Sequence, residues 1–167
     1  MLISSITSWP DHLSTLYKLL QPGGYVELQE TAWRYFDQSS GKEISHDWQW
    51  LQHLNKTLIA KNGTDFCAGE QLVEHLQKAG FVDVQVKVYV WPNNEEVWEA
   101  HPETHLAGIH TARELVDLKW TLAERILKVK GGFGDEKIGE LKQEYYATTR
   151  LKCFHKFYVA WGKKPEL

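Results

Sequence analysis

A run of nine residues with alternating valines constrains the fold more than any other feature of the sequence. From Val82 to Val90 every second residue is valine, while Asp83, Gln85, Lys87 and Tyr89 occupy the alternate positions. This period of two predicts a half-buried β-strand, because successive side chains of a strand point to opposite faces of a sheet. Pro92 ends the run. The chain must therefore contain further strands that pair with this one.

Two other segments are predicted to supply those strands. Tyr25–Glu30 follows the turn Gln21–Gly24 and has Val26 and Leu28 on one face. Phe154–Trp161 is apolar on both faces, which is typical of a strand that is covered on both sides. We expect this last strand to lie in the centre of the sheet, between Tyr25–Glu30 and the valine strand.

Most of the remaining sequence shows helical spacing of its apolar residues. Gly80 follows one such segment at the position of a left-handed C-cap residue, and Phe81 is placed to pack back on Leu76. Another begins behind Ser45, a possible N-cap, and the longest has the stripe Leu115, Leu118, Leu122, Ile126 and Val129. The predicted helices contain the segments 13–20, 48–58, 72–79, most of 97–129, and 138–145. The pattern predicts one α/β domain over residues 1–167, with a helical insertion at about 93–150.

Composition excludes several classes of partner. The formal net charge is -3 and the pI is about 6.2, so the chain lacks the basic surface that binds nucleic acid or anionic lipid. No apolar run is long enough to span a membrane, and the N-terminus does not resemble a secretory signal. We expect a cytoplasmic location, or a nuclear one. Cys67 and Cys153 are predicted to be free thiols, because they are far apart and have no CxxC spacing.

The ordered set of motifs resembles the C-terminal half of a class I S-adenosylmethionine-dependent methyltransferase. Among such enzymes it is most similar to the fungal methyltransferases of secondary metabolism. The resemblance covers nearly the whole chain, and any one of its motifs would be weak alone. The motifs are Ser8–Pro10, Leu20–Glu30, Gln77–Val84, Trp98 with Gly108, and Phe157–Pro165.

The resemblance implies a partial Rossmann-like fold. Its strands would be the family's fifth, seventh and sixth in spatial order, with the seventh antiparallel between the other two and a helical insertion between the last two in sequence. The family's cofactor loop is glycine-rich and belongs to the preceding half, which this sequence lacks. Gly131–Gly134 connects two predicted helices, whereas a nucleotide-binding loop turns from a strand into a helix. The implied cofactor, S-adenosylmethionine, would then bind only if another chain completed the site.

Six residues are candidates for an acceptor pocket, because the family builds that pocket from the insertion and from the segment after the fifth strand. They are Glu30, Trp33, Tyr35, His101, His105 and His110. The alternative, that these residues only cover the core, stays open. The three histidines match no zinc-binding motif, and Pro102 disturbs the helix that would carry them, so no metal is expected. The sequence identifies no catalytic residue.

Three functional hypotheses follow. The chain is the substrate-side half of a methyltransferase that acts on a small metabolite, or it is a non-catalytic interaction protein that uses its sheet edge. The third hypothesis is a cofactor-independent activity on a small apolar metabolite. Since the strand Tyr25–Glu30 would lack its usual neighbour, we expect a homodimer or a hetero-complex through that edge.

Overall fold

The computed structural model describes residues 6–94, 98 and 105–166; the side chains at 62, 105, 107 and 111–115 lie outside the description. The described elements follow one another as helices and three strands. In chain order they are α1 (Trp9–Leu19), β1 (Tyr25–Asp37), α2 (Gln49–Asn62), a 3-10 turn (Ala68–Gln71), α3 (Leu72–Lys78), β2 (Val82–Pro92), α4 (His105–Val129), α5 (Asp135–Thr149) and β3 (Cys153–Lys163).

The three strands form one antiparallel sheet in the order β1-β3-β2. The last strand of the sequence therefore lies between the other two, which is the position that its apolar faces predicted. Both β1 and β2 are edge strands of this sheet.

The chain divides into two compact units. The first unit contains residues 1–33, 62–89 and 156–167, and the second contains residues 34–61 and 90–155. Each of the three strands has residues in both units.

The first unit has an aliphatic core between its helices and its part of the sheet. Helix α1 begins as predicted, because the Ser8 hydroxyl accepts a hydrogen bond from the Asp11 N–H and Pro10 lies in the first turn. Leu13, Leu72 and Leu76 are fully buried. The core consists of Ile6, Trp9, Leu13, Val26, Leu28, Ala68, Leu72, Leu76, Phe81 and Ala160.

Two turns of the first unit depend on particular residues, one on Gly80 and the other on Lys164. Gly80 has φ 91°, a left-handed conformation that favours glycine, and Phe81 joins Leu76 in the core as predicted. At the other turn the Gly23 N–H donates to the Lys164 carbonyl, and the Lys164 N–H donates to the Gly24 carbonyl. The ammonium of Lys164 also donates to the carbonyls of Tyr17 and Leu20 at 2.9 Å each, which satisfies the C-terminal end of α1.

The second unit is built around aromatic side chains. Trp50 is fully buried, its ring meets that of Tyr145 edge to face at 4.9 Å, and its indole N–H donates to the Thr148 hydroxyl at 3.1 Å. The predicted stripe of α5 is confirmed, since Ile138, Leu141 and Tyr145 are all buried.

Two predicted features of the second unit are wrong. Ser45 does not cap α2: its hydroxyl accepts from the Tyr35 N–H at 2.9 Å. The carboxylate of Glu144 caps α2 instead, accepting from the N–H groups of Gln49 and Trp50 at 2.9 and 2.8 Å. The predicted stripe of α4 is largely exposed at Leu118, Leu122 and Val129, and the buried residues are Trp120, Ala123 and Leu127. Both stripes have helical spacing, and the larger aromatic side chain decides which one is buried.

The strands also differ from their predicted extents and burial. β1 runs to Asp37 rather than ending at Glu30, because Phe36 pairs with Glu43 and the Asp37 N–H donates to the Lys42 carbonyl. The valine strand was predicted to be half-buried, yet Val86, Val88 and Val90 are exposed, because neither face of β2 is covered along most of its length. Cys67 and Cys153 are free thiols. None of the described helices has the length and apolar character that crossing a membrane requires.

Candidate functional site

The structure does not bring the six predicted acceptor residues into one described site. Glu30 and Trp33 belong to the first unit and Tyr35 to the second. His110 is exposed on α4. His101 lies outside the described residues, and so does the side chain of His105.

In the first unit, Glu30 is buried and Trp33 packs against another aromatic side chain. Glu30 is a buried carboxylate with 1% of its surface exposed. The Trp33 ring stacks on that of Phe66 with 4.3 Å between the ring centroids. The backbone N–H of Trp33 donates to the backbone carbonyl of Phe66 at 3.0 Å. Trp33 is thus held by Phe66 within the first unit, which agrees with the alternative that it covers the core.

Tyr35 lies in a polar cluster of the second unit, which we call the Tyr35 cluster. Its ring is buried and approaches the ring of Trp48 at 5.0 Å and that of His155 at 5.8 Å. Burial is the main cause that raises the pKa of the Tyr35 phenol, so this group stays protonated at neutral pH. The members of the cluster are Tyr35, Asn93, Lys119, Tyr145, Cys153 and His155.

His155, Asn93 and Cys153 form the hydrogen-bonded part of the Tyr35 cluster. The His155 Nδ1 lies 2.9 Å from the Asn93 Oδ1, and the Asn93 side-chain amide donates to the Cys153 sulfur at 3.6 Å. Burial lowers the pKa of His155 well below its usual value and raises that of Cys153 to about 11. A neutral imidazole donates from Nδ1 in this arrangement, and the thiol is not an activated nucleophile.

Lys119 is the member of the Tyr35 cluster whose charge is most open to change. Burial lowers the pKa of its amine to about 8. At neutral pH a fraction of the amine is therefore neutral and can accept a proton. Lys119 lines a small cavity of about 10 Å³ together with Tyr35, Asn93, Val116, Tyr145 and Thr149. This volume holds about one water molecule and is far too small for a metabolite.

A larger concavity lies in the first unit, between α1 and α3. Its volume is about 310 Å³, which is at the lower end of the range for small-molecule sites. It is lined by Pro10, Ser14, Tyr17, Lys18, His75, Lys78 and Ala79. The His75 ring stacks on Trp9 at 5.4 Å, and Lys78 makes an ion pair with Glu74 on the same helix. Sequence reasoning did not predict this groove, because its lining comes from two helices that are distant in sequence.

The residues of the described chain do not fit the cofactor of the resembled family. Gly131 and Gly132 close α4: the Gly131 N–H donates to the Ile126 carbonyl, and Gly132 has φ 69°. Gly134 is the N-cap residue of α5. The cluster is the helix-to-helix connector that the sequence predicted. Among the described residues no group of three His, Cys, Asp or Glu side chains could hold a metal ion.

Sequence reasoning missed most of the Tyr35 cluster. Lys119 directly precedes Trp120, which is buried on α4, so the tryptophan was the available signal. His155 and Cys153 are at the beginning of the strand that was predicted to be buried on both faces. Polar residues at such positions require partners, and this rule could have marked them.

The comparisons with known proteins give only distant similarity. The sequence matches no protein-family model and no curated protein. Two solved structures that it resembles are of Haemonchus contortus phosphoethanolamine N-methyltransferase 2. One complex contains phosphomonomethylethanolamine and S-adenosylhomocysteine, with a TM-score of 0.43 and 18% identity over 98% of this chain and 32% of that chain. The other contains S-adenosyl-L-methionine, with a TM-score of 0.42 and 17% identity over 98% of this chain and 31% of that chain. The chain spans about a third of their length. This similarity is too distant to assign an activity.

Proposed function

We propose that the chain forms the substrate-side half of an S-adenosylmethionine-dependent methyltransferase that acts on a small metabolite. The observation that carries this proposal is the central position of β3 between β1 and β2, with α4 and α5 inserted between β2 and β3 in sequence. The ordered motifs resemble the fifth, sixth and seventh strands of the class I family, in which the seventh strand lies between the other two. The secondary-metabolism subtype belongs to the same proposal.

In this proposal S-adenosylmethionine binds mainly to a glycine-rich loop supplied from outside these 167 residues. The free edge of β1 is where the preceding strand of such a fold would pair. Tyr25, Glu27 and Gln29 alternate there with the buried Val26 and Leu28. A partner that supplies the missing half would therefore extend the sheet beyond β1.

The acceptor side would involve Tyr35 and the insertion helices of the second unit. Lys119 is the one lining group of the small cavity that can exchange a proton near neutral pH. It is therefore the candidate general base for an acceptor that carries a proton. Since the cavity itself cannot hold a metabolite, we propose Lys119 and Tyr35 only as the inner wall of the acceptor site, with His110 on the same insertion helix.

The test is a calorimetric titration with S-adenosylmethionine and S-adenosylhomocysteine. We expect no binding by the isolated chain at millimolar ligand. We expect micromolar binding after addition of a polypeptide that carries the preceding strands and the glycine-rich loop of a class I methyltransferase. Tight binding by the isolated chain would contradict the division into halves, and no binding by the mixture would contradict the methyltransferase proposal.

The second candidate function is a non-catalytic interaction protein. The exposed valines of β2 favour it, because a long apolar edge strand pairs readily with another chain. A complex that forms through the sheet, together with no binding of S-adenosylmethionine in any mixture, would support this alternative.

A further inference from the structure

The outer edge of β2 is unusually apolar for the edge of a sheet. The strand is 11 residues long, and Val82, Val86, Val88 and Val90 are 42%, 42%, 47% and 59% exposed. Edge strands are normally short, interrupted or strongly charged, because an exposed apolar edge recruits another strand. Lys87 provides one charge at the centre of β2, and its ammonium lies over the Tyr89 ring at 4.9 Å.

The charges of β2 are arranged so that the strand is complementary to itself. When two copies pair antiparallel around a two-fold axis at Gln85, residue 83 of one copy lies opposite residue 87 of the other. This register places Asp83 opposite Lys87 twice in the dimer. An axis at Lys87 would instead place two lysines opposite each other, and an axis at Val86 would place Gln85 opposite Lys87.

The same register also aligns the apolar faces. The two-fold at Gln85 sets Val84 opposite Val86 and Val82 opposite Val88, so valine meets valine along the joined edge. Asp83 has a left-handed φ of 51°, so the extended ladder begins at Val84 and the Asp83 carboxylate would reach Lys87 of the second copy from the end of the paired segment. The same carboxylate also acts on the Lys163 ammonium of its own chain.

We propose that a second copy of this chain pairs with β2 in this register and produces a continuous six-stranded sheet across the two-fold axis. The occupant is another copy rather than an unrelated peptide, because reversing β2 about Gln85 exchanges the positions of Asp83 and Lys87. The strand is therefore complementary in charge to a second, antiparallel copy of itself. This surface is the opposite edge of the sheet from β1, where the missing methyltransferase strands would add. The inference does not depend on the proposed enzymatic function.

Disulfide trapping tests the register directly. In the Gln85→Cys variant the two thiols meet at the axis, and we expect a covalent dimer after mild oxidation. The matched control is Lys87→Cys, on the same exposed face two residues away, whose thiols are too far apart in this register to bridge. The unmodified chain controls for Cys67 and Cys153. A covalent dimer from Lys87→Cys but not from Gln85→Cys would overturn the proposal.

Sedimentation equilibrium of charge variants tests the pairing energetics. Lys87→Glu turns two attractive pairs into repulsive ones, and we expect the dimer to dissociate about tenfold more readily. Asp83→Asn should weaken it about threefold, and the double variant Asp83→Asn/Lys87→Glu should return to the level of Asp83→Asn because the repulsion is gone. Circular dichroism confirms that each variant is folded. A monomer at all concentrations, or a dimer that ignores Lys87→Glu, would overturn the proposal.

A dimer formed through β1 would be detected by disulfide trapping at a residue of that strand. A Gln29→Cys variant should form no covalent dimer after oxidation if β2 is the interface, although its non-covalent dimer should persist. Trapping through residue 29 without trapping through residue 85 would assign self-association to the edge of β1 and refute pairing through β2.

Discussion

The two compact units of the chain have cores of different character. The first unit buries mainly aliphatic side chains such as Leu13, Leu72 and Leu76, and its turns depend on local features such as Gly80. The second unit buries tryptophan and tyrosine together with polar groups such as Thr148 and His155, and Lys119 is partly buried beside them. An aliphatic core is stabilised by removing apolar surface from water, whereas a polar aromatic core also depends on hydrogen-bond partners brought from distant parts of the sequence. The variants below test this difference.

The largest expected effect is the loss of aliphatic packing in the first unit. Leu72 is fully buried, and Leu72→Ala should lower the free energy of unfolding by about 3 kcal/mol, from lost burial and the cavity that remains. The measurement is urea unfolding followed by circular dichroism. Leu19→Ala is the control, because Leu19 is 75% exposed and its loss should change stability by less than about 0.5 kcal/mol. Similar losses for the two variants would show that the first unit lacks a tightly packed core.

The second effect concerns the partly buried amine of Lys119 in the second unit. The pKa of Lys119 is about 8 in the folded chain against 10.5 in its usual state, so the unfolded chain binds more protons between these values. The stability of the wild type should therefore rise with pH relative to Lys119→Met, by at most roughly 3 kcal/mol between about pH 8 and pH 10.5. Below pH 8 the difference should be constant, with Lys119→Met the more stable protein.

Comparing the two proteins at each pH separates Lys119 from other groups. Cys153 acts in the opposite direction, because its pKa is raised to about 11 and its contribution is lost as pH rises through that value. Because the Lys119 ammonium lowers the pKa of Cys153, this contribution would differ between the two proteins, so the comparison is made in a Cys153→Ala background where it is absent. Lys142→Met, at an exposed position of α5, should not reproduce the rise. A flat difference for Lys119→Met would show that its amine is solvated and would remove it as a candidate base.

The third effect tests a close contact within the second unit. A Cβ atom on Gly108 would lie 2.0 Å from the Trp98 ring, so Gly108→Ala should displace that buried side chain and cost about 2 kcal/mol. Gly139 is the matched control, since it lies within a helix and no atom approaches its Cβ position. Gly139→Ala should stabilise the chain by about 1 kcal/mol through helix propensity. Stabilisation by both variants would mean that Trp98 does not pack on Gly108.

The difference between the units also explains how much could be predicted from sequence. The elements of the first unit depend on signals a few residues apart: the Ser8 cap, the turn before Tyr25 and Gly80 after α3. These predictions were confirmed, and the last strand lies between the other two as expected, because a run that is apolar on both faces is a property of the strand's own composition. Its burial on both faces was not borne out in full, since Phe157, Val159 and Trp161 are only partly buried. In the second unit the cap of α2 comes from Glu144, 95 residues after Gln49, and no local pattern predicts such a partner. The Tyr35 cluster was missed for the same reason, since Asn93 and His155 are 62 residues apart.

The smallest effect isolates that distant cap. The Glu144 carboxylate accepts from two N–H groups at the positive end of α2, and Glu144→Gln removes the charge but keeps one acceptor oxygen. We expect a loss of about 1 kcal/mol, smaller at high salt because the interaction of the charge with the helix end is screened. Glu140→Gln is the control on the same helix, because Glu140 makes only a solvent-exposed ion pair with Lys137 and should change stability by less than about 0.5 kcal/mol. Equal losses for Glu144→Gln and Glu140→Gln would mean that α2 is capped by other groups, and that the second unit is as local in its stabilisation as the first.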